Sequence, residues 1–290
     1  MSKHTIYKSK EGKEKIHSLY EKYLQEFEVE RVYVETTLGK THVLVAGPSE
    51  GKPLFIFQGG NCINPMTLSW FKPLFKQYRI YAPDTIGHPG FSDENRISAS
   101  DDSFARWTAE LMNHFRVERS AFIGPSYGAG IILRLAAFMP KKIACSILIA
   151  PAGIKLGSKL EMIRKILVPL LLFKMNGSVK QMNRIADTMS DFSMKEMDRD
   201  IISSIFKNVK LESEMPKLTE KSELVNYHSP TMVFAGMKDV FFPDERIQKT
   251  AKAIIPNLIK YQTYDMGHMP SEEYLAKINK EIEQFLYSHY

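Results

Sequence analysis

The sequence predicts an α/β protein built on a mostly parallel, doubly wound sheet of eight strands, and three observations carry that prediction. Four short segments, 54–57, 79–82, 120–123 and 146–149, are apolar almost throughout, the pattern of strands covered on both faces. Segments with helical spacing alternate with them at 66–75, 101–115 and 127–138, which is the rhythm of βα repeats. At one strand-to-helix junction sits Gly124-Pro125-Ser126-Tyr127-Gly128, the form of a sharp turn that lifts a serine above the sheet.

The elements follow in order. Over 11–27, Ile16, Leu19, Tyr20, Tyr23 and Leu24 recur at helical spacing and predict an amphipathic helix. The β-rich runs 29–34 and 41–45 flank Leu38-Gly39-Lys40 and read as a hairpin. The βα repeats then run to residue 149, where the rhythm stops. Between 152 and 229 there is no strong strand. Ser158-Lys159-Leu160-Glu161 has the form of a capping box opening a helix that carries Ile163, Ile166, Leu167, Leu170 and Leu171, and helical patterns recur at 179–189 and 195–206. A strand at 231–235, a helix at 244–255, a strand at 259–264 and a closing helix at 272–287 complete the pattern. The expected organisation is a core of residues 1–151 and 230–290, with residues 152–229 inserted after the sixth strand as a helical cap.

Composition removes several function classes. Of 290 residues, 44% are hydrophobic and 25% charged, as in ordinary soluble domains. The net charge is +6, but no basic stripe interleaved with aromatics appears, so a nucleic-acid partner is not expected. The two cysteines, Cys62 and Cys145, form no Cys-x-x-Cys pair or Cys/His cluster, so neither a disulfide framework nor a bound metal is expected. Cys145 lies in an apolar run and reads as a small buried hydrophobe. The longest apolar run, 166–173, is broken by Pro169 and is too short for a membrane span. Residues 1–8 lead into charge rather than an apolar leader. A cytoplasmic protein is expected.

The elbow at Ser126, the interrupted βα rhythm, and Asp239 and His268 just beyond the last two strands together resemble the α/β-hydrolase family, over essentially the whole chain. The resemblance implies a serine hydrolase similar to bacterial carboxylesterases with a short helical cap, working through a Ser126–Asp239–His268 triad without a cofactor. The partners follow in the order acid, then histidine, at separations of 113 and 29 residues. A serine hydroxyl attacks once a neutral imidazole takes its proton, and the carboxylate orients that imidazole. After the first parallel strand the family usually carries His-Gly; here the residues are Gln58-Gly59-Gly60-Asn61. The oxyanion donors implied are the backbone N–H groups of Gly60 (or Asn61) and Tyr127, with Gln58 replacing a loop brace. Asp84, Gly87 and Gly90 resemble a family turn and are structural in that reading. Seven of the 15 methionines fall in the insert, which suits an adaptable apolar lid. Asn61, Leu170, Leu171 and Met175 are the expected contacts to a small-molecule ester.

Serine rather than aspartate at the elbow sets the chain apart from the fold's epoxide hydrolases and haloalkane dehalogenases. Thioester, lactone, N-terminal proline peptide and diketone cleavage remain alternatives on the same fold, as does a ligand-binding member without catalysis.

Overall fold

A computed structural model describes residues 5–290 of the chain. Residues 1–4, where the stretch read for a leader begins, lie outside the described residues. The strands are β1 (Glu30–Thr36), β2 (Gly39–Ala46), β3 (Lys52–Ile56), β4 (Tyr78–Pro83), β5 (Ser120–Pro125), β6 (Ile143–Ile149), β7 (Thr231–Gly236) and β8 (Leu258–Tyr264). They form one sheet in the order β1-β2-β4-β3-β5-β6-β7-β8. The β1/β2 and β2/β4 pairs are antiparallel and the remaining pairs parallel, as the hairpin followed by βα repeats predicts. The expected doubly wound α/β sheet is the one observed.

Alternation along the strands divides the core into two layers. Leu54, Ile56, Ile147 and Ile149 face one cluster, shared with helices α1 (Lys10–Leu24), α2 (Asn64–Ser69) and α10 (Glu272–His289). Phe55, Phe57, Phe122 and Leu148 face the other, with α3 (Ser103–His114), α4 (Tyr127–Phe138) and α9 (Asp244–Ile254). Cys145 is fully buried in the first layer.

The insert between β6 and β7 is helical. Its first helix runs without a break through α5 (Lys159–Met162), a π-helical turn (Ile163–Leu167) and α6 (Val168–Asn176). The π turn ends two residues before Pro169, which has no N–H to give. Helices α7 (Val179–Ser190) and α8 (Glu196–Asn208) follow. Ile166, Phe173, Met182, Ile185, Ile201 and Ile205 join the first core layer, and α8 lies against α1, where Tyr23 Oη donates to Asp198 at 3.0 Å.

Two local expectations differ from the structure. Ser158 makes no side-chain cap bond to the helix it opens. The reciprocal box belongs instead to Glu220 and Glu223, on the short 3-10 turn Lys221–Leu224. The helix expected over 66–75 is two pieces, α2 and a 3-10 turn (Lys72–Lys76) with Pro73 in its first turn, because proline cannot supply the N–H that would join them.

Candidate active site

Ser126 sits between β5 and α4 at φ 51° and ψ −115°, a conformation that costs a non-glycine residue of order 1–3 kcal/mol. The neighbouring backbone holds it there. Its N–H donates to Ile149 O at 2.8 Å, and its carbonyl accepts from Ala129, Gly130 and Ala152. Both flanking glycines are needed for close approach. A Cβ on Gly124 would lie 2.4 Å from the Gly128 carbonyl carbon, and one on Gly128 would lie 2.6 Å from Phe57 O. The serine is partly exposed at the start of a buried helix.

The loop after β3 is held by side chains that turn inward. Gln58 is fully buried; it donates to Cys62 O at 2.9 Å and accepts from the Thr85 N–H at 3.2 Å. It ties the loop to the β4 side of the sheet, so a glutamine braces this loop where the family usually carries a histidine. A Cβ on Gly60 would lie 3.1 Å from Tyr127 Cβ, so this glycine rests against the first residue of α4. Asn61 takes φ 51° and clamps the irregular segment that follows α8, donating to Glu212 O at 3.0 Å and accepting from Glu212 N at 2.7 Å. Its own N–H points at His88 Nδ1, 3.4 Å away. Asn61 therefore spends its polar groups on protein partners.

His88 is buried, its ring 4.7 Å from that of Tyr127. Burial, aided by nearby Arg96, pushes its pKa down to about 3. It is neutral near pH 7. An Nδ1 that accepts from Asn61 leaves the proton on Nε2, which has no partner among the described residues.

Asp239 and His268 lie in the loops after β7 and β8, and the structure brings them together. His268 Nδ1 is 2.8 Å from Asp239 Oδ2. Asp239 is buried, and its other oxygen accepts from the N–H groups of Phe241 at 2.7 Å and Phe242 at 3.1 Å. Both carboxylate oxygens are thus occupied. That arrangement makes Nδ1 the donor and leaves Nε2 with a free lone pair. The rings of Phe241 and Phe242 pack on the imidazole at 4.9 and 5.5 Å.

The insert leans directly on the histidine loop. Met269 N–H donates to Met189 O at 2.8 Å, and a Cβ on Gly267 would lie 2.7 Å from that same oxygen. Lys238 pairs with Asp191 at 2.8 Å and with Asp265 at 3.1 Å. Met189 and Asp191 did not stand out in the sequence. The glycine beside His268 was their one trace, since it marks a close backbone approach.

The other named residues are distributed differently. Leu170 is half-buried against the first core layer, whereas Leu171 and Met175 are 59% and 73% exposed. They lie on the helix face opposite Ile166 and Phe173, which take the buried side. Of the insert's methionines, Met182 and Met194 are buried and Met215 is exposed. Asp84 braces its turn, accepting from Phe91 N–H at 2.7 Å and Tyr20 Oη at 2.7 Å. A separate open cleft of about 810 Å³ is walled by α7 with Lys238 and Val240; it flanks Asp239 without including Ser126 or His268. Among the described residues, no three His, Cys, Asp or Glu side chains group as metal ligands.

Residues 52–274 match the model of the alpha/beta hydrolase fold family. The chain belongs to the α/β hydrolases. It is 22% identical over 268 residues to the carboxylesterase nap of Bacillus subtilis, covering 87% of this chain and 85% of that protein. It is also 22% identical over 265 residues to the carboxylesterase YbfK of the same organism, covering 89% and 88%. Among solved structures, the naproxen esterase of B. subtilis superposes with a TM-score of 0.84 at 18% identity over 96% of this chain and 99% of that one. The carboxylesterase CesB (YbfK) superposes at 0.78 with 20% identity, over 95% and 98%. Together they bear out the resemblance read from the elbow and the βα rhythm.

Proposed function

We propose that this α/β hydrolase is a carboxylesterase that cleaves small-molecule esters through an acyl-serine intermediate. The observation that carries the reading is the Asp239–His268 pair, with both carboxylate oxygens engaged, in the strand-end loops of a fold whose elbow presents Ser126. The carboxylesterase relatives at 22% identity support the reaction class.

In the proposed reaction, His268 Nε2 takes the Ser126 hydroxyl proton as Oγ attacks the ester carbonyl. The resulting oxyanion is held by the N–H groups of Gly60 and Tyr127. Asn61's N–H is directed at His88, which favours Gly60 as the loop donor, and the positive end of α4 adds to the field there. Imidazolium formed beside Asp239 returns the proton to the leaving alcohol. Water then enters, His268 deprotonates it, and attack on the acyl-serine releases the acid.

In this reading residues 152–229 form the cap over the site. Leu170 is the cap residue kept as a pocket contact, because it is half-buried, and Asn61 shapes the pocket through its clamp rather than by touching substrate. The two cysteines are free and buried, in keeping with the proposed cytoplasmic location.

A fluorophosphonate probe and a p-nitrophenyl ester panel of varied acyl length test the proposal. Wild type should be labelled and active, while Ser126→Ala should lose labelling and about 10⁴-fold or more in kcat. Equal rates for the two proteins would overturn the esterase reading.

A further inference from the structure

The outer face of the insert's first helix is apolar where a water-facing surface should be polar. Seventeen large apolar side chains are exposed among the described residues, and eight of them lie between Leu160 and Val179. Leu160, Ile163, Leu167, Leu171 and Met175 recur every three or four residues and so form one stripe. The stripe runs along a helix of about 27 Å, at roughly 1.5 Å per residue. The opposite face, with Ile166, Pro169 and Phe173, is already used against the core.

The charge of the chain around this helix is equally uneven. Residues 155–186 hold seven Lys and Arg against one carboxylate, Glu161. This stretch carries +6, the whole formal net charge of the chain, and the rest sums to zero. Glu161 is taken by Arg164 and Lys165. Lys159 and Lys174, on the same helix as the stripe, pair with no carboxylate among the described residues; Lys180 and Arg184 are also unpaired but line the α7 cleft with Asp187 and Asp191. An exposed apolar stripe on a helix that also carries unpaired Lys159 and Lys174 is the form of a helix that lies in a lipid interface. A second copy of the chain fits poorly, since it would set one concentrated positive patch against another.

We propose that this face seats the protein peripherally on an anionic lipid surface, with the Leu160–Met175 stripe in the headgroup–acyl boundary and the flanking cations on lipid phosphates. The inference goes beyond ester cleavage and does not depend on it.

Co-sedimentation of the full chain with vesicles of phosphatidylcholine, with and without phosphatidylglycerol, tests it. Binding to the anionic vesicles should be at least about tenfold tighter and should collapse in high salt. Lys159→Gln/Lys174→Gln should weaken it by roughly 10- to 30-fold. Leu160→Ser/Leu167→Ser, at two exposed positions, should weaken it by about tenfold or more. Both variants should keep the wild-type circular dichroism and thermal midpoint. Ser126→Ala should bind like wild type, so a failed esterase assay leaves this result readable. The proposal is overturned by absent binding, by equal binding to both vesicles, or by insensitivity to salt. It is equally overturned by a concentration-dependent dimer that Leu160→Ser/Leu167→Ser abolishes, which would make a second copy the occupant.

Discussion

At the scale of single residues, the elbow tolerates no added atom. Gly128 sits where a Cβ would lie 2.6 Å from Phe57 O and 2.9 Å from Gln58 O, and both are backbone atoms that cannot swing aside. Gly128→Ala should therefore destabilise the fold by about 3 kcal/mol and push the loop after β3 away from Ser126. Chemical denaturation would register the first effect and a fall in kcat the second. His88 offers a separate test. Its folded pKa of about 3 lies below the ordinary 6.5, so the unfolded chain binds the extra proton first. The stability it contributes is complete above pH 6.5 and is lost as pH falls toward 3. Denaturation midpoints across that window should decline less in His88→Phe than in wild type. The same variant removes the acceptor for Asn61 N–H, so kcat should drop about tenfold with little change in KM. The placement of Ser126 at an elbow and of Asp239 and His268 beyond strand ends was legible in the sequence, because those positions are marked locally. His88's role was not, because its partner Asn61 is 27 residues away and only folding sets the two side by side.

At the scale of elements, the elbow helix is stapled to the end of the insert. Arg134 on α4 is fully buried and donates to Glu223 at 2.8 Å and to Thr219 Oγ1 at 2.9 Å. Burial pushes the Glu223 carboxyl up, but Arg134, the Glu220 N–H and Lys217 outweigh it and hold the group at about 2. With its pKa lowered from 4.5 to about 2, Glu223 stabilises the fold above pH 4.5. That contribution disappears as pH falls toward 2. Glu223→Gln leaves a buried guanidinium without its counter-charge and should cost about 3 kcal/mol near pH 7, read as a lowered thermal midpoint. Arg134→Met/Glu223→Leu should recover most of the loss. Nothing local in the sequence announces this pair, which spans 89 residues. The βα repeats were readable because each strand is apolar along its own length, whereas the capping box at Ser158 has the right residues without the bond. A four-residue pattern specifies a cap only where the backbone enters the helix at a suitable angle.

At the scale of the whole molecule, the first core layer seals both thiols. Burial pushes Cys62 and Cys145 each up to about 12, so neither forms thiolate at neutral pH. Iodoacetamide should leave the native protein unmodified and alkylate both sites at a rate that follows unfolding as denaturant is added. Composition reported the net charge of +6 but said little of its use, because lysines read along a line appear scattered. Much of the surplus sits in residues 155–186, but only folding shows which of those cations share a helix with the exposed apolar stripe and which line the α7 cleft.

The bond from Met269 N–H to Met189 O bears on how specificity in this chain could change. An insert grafted from a relative would arrive with its own landing surface, and Gly267 leaves less than an atom's clearance at the seam. Recipient loop and donor helix would have to be refitted together. The seating of the insert and the poise of the His268 loop are thus inherited jointly, and neither can drift far without the other.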